Sequence, residues 1–436
     1  MRLRPLRALA VLAAASALTS NLVAAAPTTH DRVHQRKLAD RADAAPLASQ
    51  LTSTNLPCVN GMAGEFPCDN VDLLAHLPLD AIGGGDGNDI WGWADPETGA
   101  EYALVGKSTG VAIVDVTDPI APRWLGDLGT QTLESVWRDI KVFDDVAYIA
   151  ADAAPLHGIQ AFDLTQLRGV TGPRTWIASN WHVPTGSVHN LVVNPDSARL
   201  YAVGSKECDG GPFVINLAAS VPLVTGFTPI AQDGCVDLDG YTHDMQCVTY
   251  DGPDVDHRGA EICLASNEDT LTIWDLTDAA APVMLSRTSY PQAAYTHQGW
   301  LTDDAAWFLV GDELDEQRYD LPTTTLVFDV RDLDAPRLRG KHQHGTTAID
   351  HNMHVTGNLV HQANYRAGYR LLQLTDLAHA QLTEVGFFDI YPADDEPRFN
   401  GAWGVYPWLP SGNVLVSGIE QGLFVLRPHQ RSGAAT

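Results

Sequence analysis

His243-Asp244-Met245, His297-Gln298-Gly299 and His351-Asn352-Met353 stand at intervals of 54 residues, and each leads into a run of β-branched and aromatic side chains. The same short polar step into a strand occurs at Ile90-Trp91, Arg138-Asp139-Ile140, His189-Asn190-Leu191 and Ala402-Trp403. Seven units therefore follow one another at steps of 48, 51, 54, 54, 54 and 51 residues. A repeat of this length, rich in strand formers, is the pattern of a β-propeller.

Each unit divides into four strands. The third is the most recognisable: Val111-Ala112-Ile113-Val114-Asp115-Val116-Thr117-Asp118-Pro119, with relatives at 271–278 and 326–332. Its nearly continuous apolar run suits a sheet buried on both faces. Asp, Thr and Pro then end the strand by side-chain turn bonding and a fixed φ. The seventh unit has only three strands before residue 428, whereas 71–79 precedes the first unit and is similar to 382–388, the fourth strand of unit six. The expectation is an all-β, seven-bladed propeller over residues 70–428. Its last blade is closed by an N-terminal strand paired beside 423–427, which leaves no open edge between first and last blades.

Outside that ring, residues 1–25 read as a signal peptide, 26–69 as a tether and disulfide loop, and 429–436 as a tail. Arg2, Arg4 and Arg7 form a basic start, an Ala-rich apolar run follows, and small residues allow cleavage before Ala26. That run is too short for a membrane span, and residues 433–436 carry no hydrophobic tail, so the mature protein is expected to be secreted or periplasmic, with no membrane span. Cys58/Cys68, Cys208/Cys235 and Cys247/Cys263 are neighbours in sequence, each pair within one unit or one short loop. In an exported chain they are expected to form disulfides in that local pairing, although six cysteines permit fifteen pairings. The chain carries 27 basic and 54 acidic side chains, a net charge of −27, which repels nucleic acid and anionic lipid and concentrates cations.

The third-strand motif resembles the LVIVD repeat. Tyr241-Thr242-His243-Asp244, Tyr295-Thr296-His297-Gln298-Gly299-Trp300, Gly311-Asp312-Glu313-Leu314-Asp315, Gln362-Ala363-Asn364-Tyr365-Arg366-Ala367-Gly368 and Phe399-Asn400-Gly401-Ala402-Trp403 resemble segments of the choice-of-anchor B family of exported bacterial proteins. The resemblance runs from about residue 56 to 428 and implies a propeller displayed or released outside the cytoplasm; it implies no substrate.

In a four-stranded blade the start of the first strand and the end of the second share one rim. His189, His243, His297 and His351 hold the first position; Glu207, Glu268, Glu313 and Glu420 hold the second. Neutral imidazoles backed by carboxylates suit a divalent metal (zinc, manganese, iron or calcium), the carboxylate ligating or orienting the ring. The same residues also suit a hydrogen-bonded belt between blades. Glu207, Glu268 and Glu313 are expected to serve the histidines of their own blades, and His351 to be the least supported because Tyr365 breaks the carboxylate column. Gly106-Lys107-Ser108-Thr109-Gly110 has nucleophile-elbow spacing, but strands on both sides make it a hairpin turn. Asp251-Gly252-Pro253-Asp254-Val255-Asp256 and Asp312-Glu313-Leu314-Asp315-Glu316 offer calcium-type oxygens, yet are expected to be solvated hairpin loops. The reading that follows is a binding module, with a small molecule, glycan or protein docking on the histidine-rich rim. The rival is a metal-dependent hydrolase or lyase with a rim glutamate as general base, and a ligand-free scaffold is the third reading.

Overall fold

The computed structural model describes residues 28–42, 52–182, 185–218 and 231–429. The expected signal peptide and residues 430–436 of the tail lie outside these. Seven sheets form a ring; in five of them the strands follow one another in chain order from the centre outward, and in the sixth and seventh N-terminal strands are added outside. The innermost strands are Gly87–Ala94, Arg138–Phe143, Asn190–Asn194, Asp244–Thr249, Thr296–Leu301, Asn352–Thr356 and Ala402–Tyr406. Each packs against the next, and the last packs against the first, so the ring is closed.

The strand-ending motif explains itself in hydrogen bonds. Asp115 accepts from the Thr117 N–H at 3.0 Å, and Thr117 Oγ1 accepts from the Glu101 N–H at 3.0 Å. Asp275, Thr277 and Glu261 repeat this arrangement three blades on. One side chain turns the chain while the other pins it to the neighbouring strand, which is why Asp-x-Thr recurs where the third strand stops.

Closure is as expected. Val71–Leu77 pairs antiparallel with Gly422–Pro428, Leu77 opposite Leu423 and Ala75 opposite Val425. Leu73, Ala75 and Leu77 are buried there, and each leucine contributes about 1.5–3 kcal/mol of burial. Ser53–Leu56 adds a fifth strand outside it, and the hairpin Met62–Ala63/Phe66–Asp69 extends blade six through Gln381–Phe388. The N-terminal segment thus laps two blades. All three disulfides pair as expected, Cys58–Cys68, Cys208–Cys235 and Cys247–Cys263, the last between directly opposed residues of the first and second strands of blade four.

Two units are offset from the expected register. Asp89 accepts from the Ile140 N–H just as Asp139 accepts from the Leu191 N–H, so Asn88, not Ile90, occupies the column of Arg138 and His189. In the last unit Trp403, not Ala402, takes that place: it sits in the same bulge as His297, and its carbonyl receives His351 Nδ1. A bulge adds a residue without lengthening the paired strand, so a period counted along the sequence slips there.

The segment read as a tether contains a helix, Thr29–Ala42 (α1). Thr28 and Asp31 cap it reciprocally: Thr28 Oγ1 accepts from the Asp31 N–H at 3.0 Å, and Asp31 accepts from the Thr28 N–H at 2.9 Å. His30, Val33, His34, Lys37 and Arg41 fall at helical spacing on one face. That face lies over the rim.

Candidate functional site: the histidine mouth

His189, His243, His297 and His351 stand side by side, with successive ring centroids 4.3, 4.1 and 4.5 Å apart. His189 is 6 % exposed and the other three 2 %. His297 sits in the bulge of its strand, and the other three immediately precede Asn190, Asp244 and Asn352, where their inner strands begin.

The hydrogen bonds fix three tautomers. His189 Nδ1 donates to Asp152 Oδ2 at 2.9 Å, His243 Nδ1 to the His297 carbonyl at 2.9 Å, and His351 Nδ1 to the Trp403 carbonyl at 2.5 Å. A carboxylate and two carbonyls only accept, so each Nδ1 carries the proton. Burial holds all four imidazoles below the ordinary histidine range, which keeps them neutral and leaves Nε2 a lone pair on each pinned ring. His189 Nε2 and His243 Nε2 face one another at 2.7 Å. Two opposed lone pairs at that distance repel unless a cation lies between or beside them.

Among the predicted carboxylates, Glu313 alone reaches the histidines. Its Oε1 is 3.7 Å from His297 Nε2 and 3.5 Å from His351 Nε2, and it accepts from Tyr365 Oη at 2.6 Å. His351 is therefore as well supported as His297, and Tyr365 braces the carboxylate instead of breaking the column. Glu207 is exposed beside Cys208. Glu268 lies near His30 of α1. Glu420 accepts from the Asn400 side chain and the Gly401 N–H, bracing a loop. The same-blade expectation holds for Glu313 with His297 and fails for Glu207 and Glu268; because the second strand of one blade also packs against the first strand of the next, a carboxylate there can serve the following blade. Asp152, at the end of blade two's second strand, accordingly serves His189 of blade three.

α1 completes the site. His30 Nε2 is 2.9 Å from Asp152 Oδ2, and His34 Nε2, 3.6 Å from the same oxygen, has no hydrogen-bond partner among the described residues. Burial pushes His34 down to about 2. Burial opposes ionisation of Asp152, yet hydrogen bonds from His189 and His30 outweigh it and hold the carboxyl well below its ordinary range. Lys37 Nζ reaches Glu313 Oε1 at 2.7 Å and stands 5.4 and 5.1 Å from the ring centroids of Phe399 and Trp403. Two groups of donors could hold a metal here: His30, His34, Asp152 and His189, and then His297, Glu313 and His351, where the Lys37 ammonium already stands. Composition alone hid the helix; His30-x-x-x-His34 behind a Thr28/Asp31 capping pair was the available signal.

Of the other candidates, 106–110 is the hairpin between Glu101–Lys107 and Gly110–Asp115. Residues 312–316 are not a solvated loop. Asp315 and Glu316 open a short helix, Asp315–Tyr319 (α2), and converge with Asp350, all three buried. Asp254 joins His257 and Asp334 on a partly exposed surface. No helix among the described residues is long and apolar enough to cross a membrane.

No protein-family model matches the chain, and no curated protein sequence matches it. Among solved structures it is similar to the β-propeller domain of Cps50 (Swd1) from Myceliophteria thermophila, with 12% identity, covering 80% of this chain and 99% of that one, at a TM-score of 0.49. That likeness carries no weight for function, and the fold rests on the seven sheets themselves.

Proposed function

We propose that this propeller is an exported binding module whose histidine mouth holds one divalent transition metal, which fastens α1 over the channel. The observation that carries the reading is the pair of Nε2 lone pairs on His189 and His243 at 2.7 Å, each ring oriented by an acceptor on its other nitrogen. Acceptors behind metal-binding imidazoles do this orienting work in known sites. A donor set dominated by imidazole favours zinc or iron over calcium. Three disulfides support an oxidising compartment. Membership of the choice-of-anchor B family is proposed on the LVIVD-like strand at Gly110–Asp115 and its relatives. A hydrolase would need substrate at the metal, whereas α1 leaves the histidines almost wholly buried.

Elemental analysis of protein purified without chelator is the test. Stoichiometric zinc or iron is expected, and His189→Ala and His243→Ala should each strip it while the fold persists, because a ligand bond is lost with little packing. Metal-free wild type, with both variants melting lower, would make the column an inter-blade belt and end the metal reading.

A further inference from the structure

Further along the same inner strands, towards their C-terminal ends, all seven blades line a cavity of about 410 Å³. Its wall is aromatic. Trp408 lies 5.7 Å from Trp91, 5.4 Å from Trp300 and 4.6 Å from His354, centroid to centroid, and Tyr406 is 5.2 Å from Trp91. Its floor is acidic: Asp89, Asp139 and Asp244 face one ammonium, that of Lys141. Lys141 Nζ is bound by Asp139 at 2.7 Å and stands 4.7 Å from the centre of the Trp91 ring. The cavity thus already seats one cation against tryptophan and carboxylate.

We propose that this cavity binds a quaternary-ammonium ligand. Three carboxylates against one ammonium leave negative potential for a second cation. Burial, with Asp139 adding to it, pushes the Asp89 carboxyl well up, so its negative charge is expressed in full only when a second cation compensates it. The floor's acceptors are largely engaged, Asp89 with the Ile140 N–H and Asp139 with both Lys141 and the Leu191 N–H. A primary amine would need free acceptors for its N–H groups; a methylated ammonium needs none and gains from aromatic faces and negative potential. His354, held neutral by burial, adds no competing charge. The site is separate from the histidine mouth and stands whether or not a metal binds there.

Tryptophan fluorescence of the full mature protein, titrated with choline, tests this. Saturable quenching is expected with choline and not with 3,3-dimethyl-1-butanol, its neutral carbon isostere. Trp300→Ala and the isosteric Asp244→Asn should each weaken choline by about tenfold or more. Equal binding of the neutral isostere would overturn the charge argument, putrescine binding as tightly as choline would overturn the quaternary assignment, and no saturable choline binding would overturn the site.

Discussion

At the residue scale, the mouth is governed by charges removed from water. Lys37 and Glu313 are 2 % and 0 % exposed at the side chain and 2.7 Å apart. Burial pulls Lys37 below the ordinary lysine range; Glu313, which burial alone would raise, is held below its own range by Lys37 and then by His351 and the Tyr365 hydroxyl. The glutamate is the ionised anchor and the ammonium its counter-charge. Removing one partner strands the other, at about 3–5 kcal/mol in buried pairs. Lys37→Met and Glu313→Gln should each destabilise the protein by about that much in urea unfolding, and the double variant should recover most of the loss. Additive losses in the double variant would show that the two side chains do not act as a pair. His297 Nδ1 and Glu313 Oε2 lack partners in this cluster, which marks it as unfinished polar chemistry and not ordinary core.

At the element scale, the strand that closes the ring carries a buried titratable group. His76, in Val71–Leu77, stacks on Phe424 of Gly422–Pro428 at 4.3 Å and donates Nε2–H to the Gln421 carbonyl at 2.9 Å. Burial holds it down to about 4, against about 6.5 in an unfolded chain. The folded state therefore prefers the neutral ring. Its contribution is complete above pH 6.5 and is lost as pH falls from there through 4, by about 3 kcal/mol. His34 and His157 shift in the same direction, so the whole protein should lose stability in acid. His76→Phe, which keeps the stacking, should show a visibly shallower fall in melting temperature between pH 6.5 and 4. A pH profile parallel to the wild type would remove His76 from the account of acid sensitivity.

At the scale of the whole molecule, both ends of the chain build one blade. Deleting residues 26–80 removes the closing strand and exposes the edge of Gly422–Pro428 together with the apolar faces beneath it, including Phe424 and Leu426. That truncation should lose cooperative melting. Deleting only 26–46 removes α1 and should lower the melting temperature while leaving the transition cooperative. Cooperative melting of the longer truncation would mean the ring holds without its closure. The excess of acidic side chains, 54 against 27 basic, sets the background field in which both the metal and the ammonium proposals favour cations.

Much of this architecture is written in local pattern. The nearly continuous apolar strands, the Asp-x-Thr strand ends, the seven-fold period, the cysteine pairs within one unit or one short loop and the spare strand at 71–79 each depend on residues close in sequence or on one repeating rule, so they were legible without coordinates. The shared position of the four histidines was legible for the same reason. Glu313 with His297, partners in one blade, was legible too. The pairings of Asp152 with His189 and of Glu313 with His351 were not, because they join neighbouring blades. The bulges at His297 and Trp403 hide one residue of register from any count along the chain. α1 escaped because its contact face, His30, Val33, His34, Lys37 and Arg41, is mostly polar. A helix of that kind announces no core of its own; only the ring's assembled histidines, carboxylates and aromatic rings give it somewhere to bind.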